Sequence, residues 1–175
     1  MKREFSAGGI IFRKFKIPNL PNDPLRREAR KAGFEFQIKW LVVQHSQHKG
    51  WVFPKGLIGD TKKGEKKEET AVREVREEGG IDAKIIKKLP RPVKYWYVLN
   101  AEKVFKTVYF YLMEYEKGDI NDHDFEVSDS KWLEKEKVRK TLTYKNDKKA
   151  FEEALRIFRK LKINTDNQTN TALVA

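Results

Sequence analysis

Between Gly59 and Ile81 the chain reads GDTKKGEKKEETAVREVREEGGI, and its acidic and basic positions fall at spacings that chemistry can use. Gly59 is followed after five residues by Glu65, and after seven more by Arg73-Glu74; Val75, Glu77-Glu78, Gly80 and Ile81 complete the run. Ala71 to Glu78 holds no Gly or Pro, which predicts a helix there, stopped by Gly79-Gly80. On that helix Glu77 and Glu78, three and four residues beyond Glu74, share its face. Three carboxylates so crowded repel one another, and in isolation one or more would be driven to protonate. A divalent cation removes the conflict. Hard carboxylate oxygens suit magnesium or manganese, which in turn bind phosphate oxygens.

Helices rich in glutamate and lysine are common as solvated faces, but the whole constellation over 23 residues is far more specific. It resembles the Nudix box: Gly, five residues, Glu, seven residues, then Arg-Glu-apolar-any-Glu-Glu-any-Gly-apolar, with every fixed position filled. One departure concerns the glycine. In that superfamily it often belongs to a Phe-Pro-Lys-Gly segment; here Phe53-Pro54-Lys55-Gly56 is present, but eight residues separate Gly56 from Glu65. Either Gly59, which restores the literal spacing, is the structural glycine, or Asp60 to Lys63 carries a three-residue insertion and Gly56 holds the role. The insertion is favoured because the Phe-Pro-Lys-Gly context is itself distinctive. It makes Gly56 the candidate for a metal-binding backbone carbonyl, somewhere near Lys55 to Gly59.

The elements that must position these groups follow from periodicity and punctuation. Phe5 to Lys16 reads as a first strand interrupted at Gly8-Gly9, and Phe36 to Gln44 as a second, alternating before the buried run Leu41-Val42-Val43. Between them, residues 17–35 carry three prolines and a charged segment, an inserted connection with a short helix from Pro24 to Lys31. After the box, Ala83 to Leu89 is a strand. Tyr95 to Leu99 and Val104 to Tyr115 are two more, joined by the turn Asn100 to Lys103, and Asp129 to Leu133 is a short last one. Lys135 to Arg139 starts a helical region. Asp147 to Leu161 is an amphipathic helix with Phe151, Leu155, Phe158 and Leu161 on one face. Residues 164–175 are polar and unpatterned and read as a disordered tail. The mixture predicts an α/β layered domain. The Nudix resemblance implies something narrower, an α/β/α sandwich with a central mixed sheet, as one domain over residues 1–163; Ser6-Ala7-Gly8-Gly9 is similar to that family's opening strand.

Composition bounds the rest. The 175 residues are enough for one domain with a substantial core, and 39% hydrophobic and 12% aromatic content exclude a disordered chain. The absence of cysteine excludes disulfides, thiol nucleophiles and thiolate metal sites. No apolar run reaches transmembrane length and the first residues do not read as a signal peptide, so a cytoplasmic protein is expected. The net charge is +12, while residues 59–81, with seven acids and six bases, sum to −1 and leave about +13 elsewhere. A locally acidic site in a basic body suits a metal-dependent enzyme for polyanions.

The flanks look like those of diadenosine polyphosphate hydrolases over about residues 3–16 and 36–161. The likeness rests on Trp51 to Gly56, Tyr95-Trp96-Tyr97, Phe105 to Val108, Glu126 six residues before Trp132, and Leu142-x-Tyr144 followed by Asp147-Lys148. Tyr97, sixteen residues beyond Ile81, has the spacing associated with that group. The resemblance implies magnesium- or manganese-dependent hydrolysis of a small-molecule polyphosphate, diadenosine tetraphosphate going to ATP and AMP. Glu74, Glu77 and Glu78 would bind the cation. Arg73 would orient the carboxylates, Glu65 would brace the loop against Arg73, and Glu126 is a candidate general base or extra ligand. Lys55 and Lys106 are candidates for the phosphate chain, and His48 and Tyr144 for the substrate's flank. Adenine needs a flat platform, which Tyr95 or Tyr97 can supply. Side chains alternate, so these two share one face and Trp96 the other, and one of the sets is expected to be core. Two alternatives stay open. One is hydrolysis of other nucleoside polyphosphates, capped RNA ends or diphosphoinositol polyphosphates; the other is a non-catalytic nucleic-acid-binding module, suggested by charge and aromatic strands.

Overall fold

The computed structural model describes residues 2–16 and 36–172, the last eleven of these as backbone only. The expected connection at 17–35, with its short helix, lies outside the described residues. The elements are β1 (Lys2–Lys16), β2 (Phe36–His45), β3 (Trp51–Val52), β4 (Lys55–Leu57), α1 (Lys67–Gly79), β5 (Ile81–Lys88), β6 (Val93–Leu99), β7 (Glu102–Gly118), a 3-10 turn at Ile120–Asp122, β8 (Val127–Leu133), α2 (Lys135–Thr141) and α3 (Lys145–Ala172).

The eight strands make one mixed sheet around two long parallel strands, β1 and β7, in register from Lys2 opposite Val104 to Phe12 opposite Glu114. Each long strand changes its outer partner midway. β1 pairs with β4 at Ser6 to Gly8 and with β2 from Phe12 to Lys16. β7 pairs with β6 from Glu102 to Val108 and with β5 from Tyr111 to Gly118. The sheet therefore splays on both flanks of the central pair. Phe53-Pro54 fills the opening beside β1: Phe53 is fully buried, and the Gly9 amide donates to the Pro54 carbonyl at 3.1 Å. A Cβ on Gly8 would stand 2.2 Å from that carbonyl oxygen and 2.5 Å from Lys55 Cβ, so the close approach requires glycine. The Gly8-Gly9 interruption is the point where β1 passes from one partner to the other.

Strand alternation sends side chains to two apolar layers. Ile10, Phe12, Trp40, Val42, Phe110 and Leu112 lie on one face, under Val138 of α2 and Ala150, Phe151, Ala154 and Leu155 of α3. Ala7, Ile11, Leu41, Val43, Tyr111 and Met113 lie on the other, under Ala71 and Val75 of α1. This is the α/β/α sandwich. Among the described residues no helix is long and apolar enough to cross a membrane.

Several boundaries differ from expectation. Helix α1 starts a turn earlier, its entry fixed by Glu69 accepting a hydrogen bond from the Lys66 amide at 3.1 Å. It ends where predicted, at Gly80 in the left-handed region. The β6–β7 hairpin needs only Asn100 and Ala101 as its turn, both at positive φ. β3 and β4, of two and three residues, are too short to show a period. The helix of α3 runs on to Ala172, across part of the segment expected to be disordered; no Gly or Pro interrupts 162–172. Residues 173–175 lie outside the described chain.

Gly8→Ala is expected to lower stability by about 1–3 kcal/mol, because backbone and Lys55 must move to admit one methyl group. Urea unfolding checks it: the midpoint should fall with the slope unchanged.

Candidate active site

Arg73 stands at the centre of the acidic cluster. Its Nε donates to Glu65 Oε1 at 2.9 Å and one terminal nitrogen to Glu65 Oε2 at 3.0 Å, a two-pronged pair. The same nitrogen reaches Asp60 at 2.8 Å and the Leu57 carbonyl at 3.3 Å, and the other reaches Glu74 at 2.6 Å and Glu77 at 2.8 Å. All three guanidinium nitrogens are directed at carboxylate or carbonyl oxygens. Glu65 is held at about pKa 2, first by its Arg73 hydrogen bond and then by Thr70, whose hydroxyl donates to it at 2.8 Å. Asp60, in the loop that lengthens the box, thus joins the network.

Glu74 and Glu78 are buried, while Glu77, the third of the expected trio, is well exposed. Burial pushes the Glu74 carboxyl up to about 8, against Arg73's pull and with the charge of Glu78 adding to it. Burial likewise raises Glu78 to about 7, although the Lys55 amide donates to it at 2.7 Å. The Glu74 carboxylate lies where a Cβ on Gly56 would be, 2.0–2.4 Å from that position. Gly59 has a different part. It sits at φ +80° in a turn, with its amide directed at Glu65 at 3.4 Å. Of the two glycines, Gly56 is therefore the one beside the acids.

Among the described residues no three acidic or histidine side chains are gathered into a ready cation cage; Glu74 and Glu77 turn onto Arg73 instead. The donor chemistry nevertheless fits a hard divalent cation. Two carboxylates resist ionisation because they are buried, and the glycine beside them leaves its backbone open to approach.

These groups line one end of a cleft of about 860 Å³. Lys55 and Lys106 also line it. Burial, and then the positive charge of Lys55, pull the Lys106 ammonium below its usual range. Tyr95 and Tyr97 both reach the cleft, rings 6.2 Å apart. Of the two sets, the tyrosines' is the one that reaches the core: Tyr95, half-buried, packs against it, Tyr97 is half-buried at the cleft, and Trp96 is 55% exposed, because β6 pairs only with β7. His48 stacks on His45 at 4.1 Å between centroids and meets Tyr144 edge-on at 5.8 Å, and all three line the cleft. Glu126 is exposed at the same opening, in a loop pinned to β2 by the Ser46 amide bonding to its carbonyl at 2.7 Å.

Three acids here were not foreseen. Asp124 lines the cleft, accepts the Glu126 amide at 3.0 Å, and is tied to α1 by its own amide bonding to the Glu77 carbonyl at 2.8 Å. Asp147, buried in the first turn of α3, reaches the cleft beside Lys55's charge. Glu4, buried on β1, accepts the Tyr97 hydroxyl at 2.5 Å and lies 3.9 Å from Lys106 Nζ. Glu4, Ser6 and Gly8 share one face of β1; a lone acid on a strand whose other charges are all basic was the signal available for Glu4.

The raised carboxyls make a pH prediction. Glu74 and Glu78, near 8 and 7 when folded against about 4.5 unfolded, bind protons more tightly in the folded state. Their contribution to stability is complete below about pH 4.5 and is lost as pH rises through 7 and 8. In chelator the melting temperature should therefore fall between pH 6 and 9, less steeply for Glu74→Gln. Added magnesium should raise it more at pH 8 than at pH 6, as thermal melting across buffers will show.

The NUDIX domain family matches residues 33–154. A Mycobacterium tuberculosis protein named as the mutator protein MutT4 is 37% identical over 161 residues, 90% of this chain, which spans 57% of that relative's length. The asymmetrical bis(5'-nucleosyl)-tetraphosphatase of Mus musculus is 30% identical over 158 residues, covering 85% of this chain and 90% of the mouse protein. The crystal structure of a C. elegans Ap4A hydrolase binary complex superposes with a TM-score of 0.61 at 21% identity, over 89% of this chain and 98% of that one. With box, fold and relatives in agreement, the chain belongs to the NUDIX family of hydrolases.

Proposed function

We propose that the cleft hydrolyses a phosphoanhydride bond of a dinucleoside polyphosphate with magnesium or manganese, taking diadenosine tetraphosphate to ATP and AMP. The observation that carries this reading is the joining, in one cleft, of the Lys55–Lys106 cation pair and the Tyr95–Tyr97 wall with the buried carboxylates Glu74 and Glu78. Two lysines lining one cleft call for a polyanion, and half-buried rings call for a planar group. The mouse relative's name supports the same substrate class.

Glu74, Glu77 and Glu78, with the Gly56 carbonyl, would hold the cation. When bound, such a cation neutralises charge on the bridging phosphates and lowers the pKa of a water. The chain's own residues do the rest. Lys55 and Lys106 bind phosphate oxygens and fix the scissile bond beside the acids. Tyr97 or Tyr95 stacks on adenine, and His48 and Tyr144 border the same space. Glu126, exposed at the opening, accepts a proton from the attacking water as its oxygen bonds to phosphorus and the bridging oxygen departs with the leaving phosphate. Arg73, braced by Glu65, keeps the carboxylates in place throughout.

The likeness to MutT4 favours a second reading, hydrolysis of another nucleoside polyphosphate. One incubation separates the two: dinucleoside polyphosphates, nucleoside triphosphates, capped RNA and inositol pyrophosphates, each with magnesium, followed by product identification. ATP with AMP from diadenosine tetraphosphate is the expected result. Glu77→Gln and Glu78→Gln should each lower kcat at least about a hundredfold while the fold survives; near-normal turnover of both at saturating magnesium would remove the metal assignment.

Tyr97 is the better ring to test, since Tyr95 also packs against the core. Tyr97→Ala should weaken dinucleoside polyphosphate binding by about 1–3 kcal/mol and leave any inositol pyrophosphate affinity unchanged. Calorimetric titration in calcium, with a parallel melting curve, reads both.

A further inference from the structure

The edge strand β6 has two faces with different surroundings. Tyr95 and Tyr97 look into the cleft, and by alternation Lys94, Trp96 and Val98 stand on the opposite face of the strand, where Trp96 also borders the cleft's rim. Register lays the outward side chains of three strands in rows. Val98 stands opposite Lys103, Trp96 opposite Phe105, and Phe105 opposite Arg3; Lys94 stands opposite Thr107, and Thr107 opposite Phe5. The Trp96 and Phe105 rings touch, centroids 4.7 Å apart. α1 covers this same sheet face only from Ala7 onward, and Phe5, Trp96 and Val98 are left 48%, 55% and 65% exposed.

The frame of this apolar patch is cationic. Arg3, Lys94 and Lys103 are exposed, and among the described residues none of the three forms an ion pair. No acidic residue occupies this face of the three strands at the positions in register with them. Further along the same face, Tyr109 carries the ammonium groups of Lys67 at 4.0 Å and Lys88 at 5.2 Å over its ring. An exposed aromatic patch of this kind marks a binding surface. Arg3, Lys94 and Lys103, with no acid at the positions in register with them, select a polyanion. Neither the acids of the box nor Lys55 and Lys106 use this part of the +12 net charge. A polyanion that also presents exposed planar rings is a single-stranded nucleic acid; a duplex keeps its rings stacked inside, and an acidic peptide has none to offer at each charge.

We propose that the sheet face of Arg3, Phe5, Lys94, Trp96, Lys103 and Phe105 binds single-stranded nucleic acid, with bases stacked on Trp96 and Phe105 and phosphates on the three cations. The surface does not depend on what the cleft hydrolyses, and a strand bound there runs along the β6 edge that also walls the cleft.

Fluorescence anisotropy with labelled 12-nucleotide single-stranded RNA and DNA, and a duplex of the same length, tests it without any catalytic readout. Saturable binding of a single strand, tighter than of the duplex and weakening with salt, is expected. Trp96→Ala should weaken it at least about fivefold, and Trp96→Phe, which keeps a ring, by less than about threefold. Reversing Arg3, Lys94 and Lys103 to Glu should weaken it at least about thirtyfold and flatten the salt dependence. The same reversal at Lys135, Lys137 and Lys140, exposed on α2, is the charge-matched control and should change affinity less than about threefold. Equal loss in both reversals, or no saturable binding of either strand, overturns the proposal. So does sedimentation showing self-association that Trp96→Ala abolishes while oligonucleotide binding persists.

Discussion

Four carboxylates converge on one guanidinium in this molecule, and most of the site's geometry is a consequence of that crowding. Arg73 binds Glu65, Glu74, Glu77 and Asp60 at 2.6–3.0 Å, so acids from the loop and from the first and second turns beyond are held by a single rigid fork. The arrangement divides the acids by environment. Glu65, beside Arg73 and Thr70, stays ionised; Glu74 and Glu78 are deeper, and burial pushes both toward protonation despite the charges of Arg73 and Lys55. The loop before α1 thus supplies a carboxylate that stays ionised, and the helix carries two that burial pushes toward protonation.

The sheet supplies the second half of the site by splaying. Because β1 and β7 each change partners, β4 and β6 leave the plane that β2 and β5 occupy, and the faces of the central pair open between them. Lys106 of β7, Tyr95 and Tyr97 of β6 and Lys55 of β4 come to line one cleft through this opening, with Phe53-Pro54 wedged at its root. The wedge also aims the Lys55 amide at Glu78. A packing detail of the core and a contact of the acidic cluster are therefore one construction.

What could be read from the chain divides along a physical line. The box was legible because its contacts are local: Glu65 and Arg73 are eight residues apart, and helical spacing places Glu74 against Glu78. The two core layers followed from alternation. Glu4 and Asp147 were missed because their arrival at the cleft depends on pairing between strands and helices distant in sequence. Asp124 was missed because loops have no period. Which face of β6 would be buried stayed open for a related reason, since alternation separates two faces of a strand but does not say whether the strand is an edge.

The parallel pairing of β1 with β7 has a kinetic side. Lys2 meets Val104 and Phe12 meets Glu114, so the contacts at the centre of the sheet each close a loop of about a hundred residues. Such closure is entropically costly before it is rewarded, and chains that depend on it fold slowly. On the ribosome the first strand must wait for nearly two thirds of the chain before its neighbour exists. Until then its apolar residues, Ile10, Ile11 and Phe12 among them, have β2, β4 and α1 but not the central neighbour to shelter them. The central strand of the finished sheet is thus the first to be made and among the last to be secured, and the interval between is when the chain is most open to association with its neighbours.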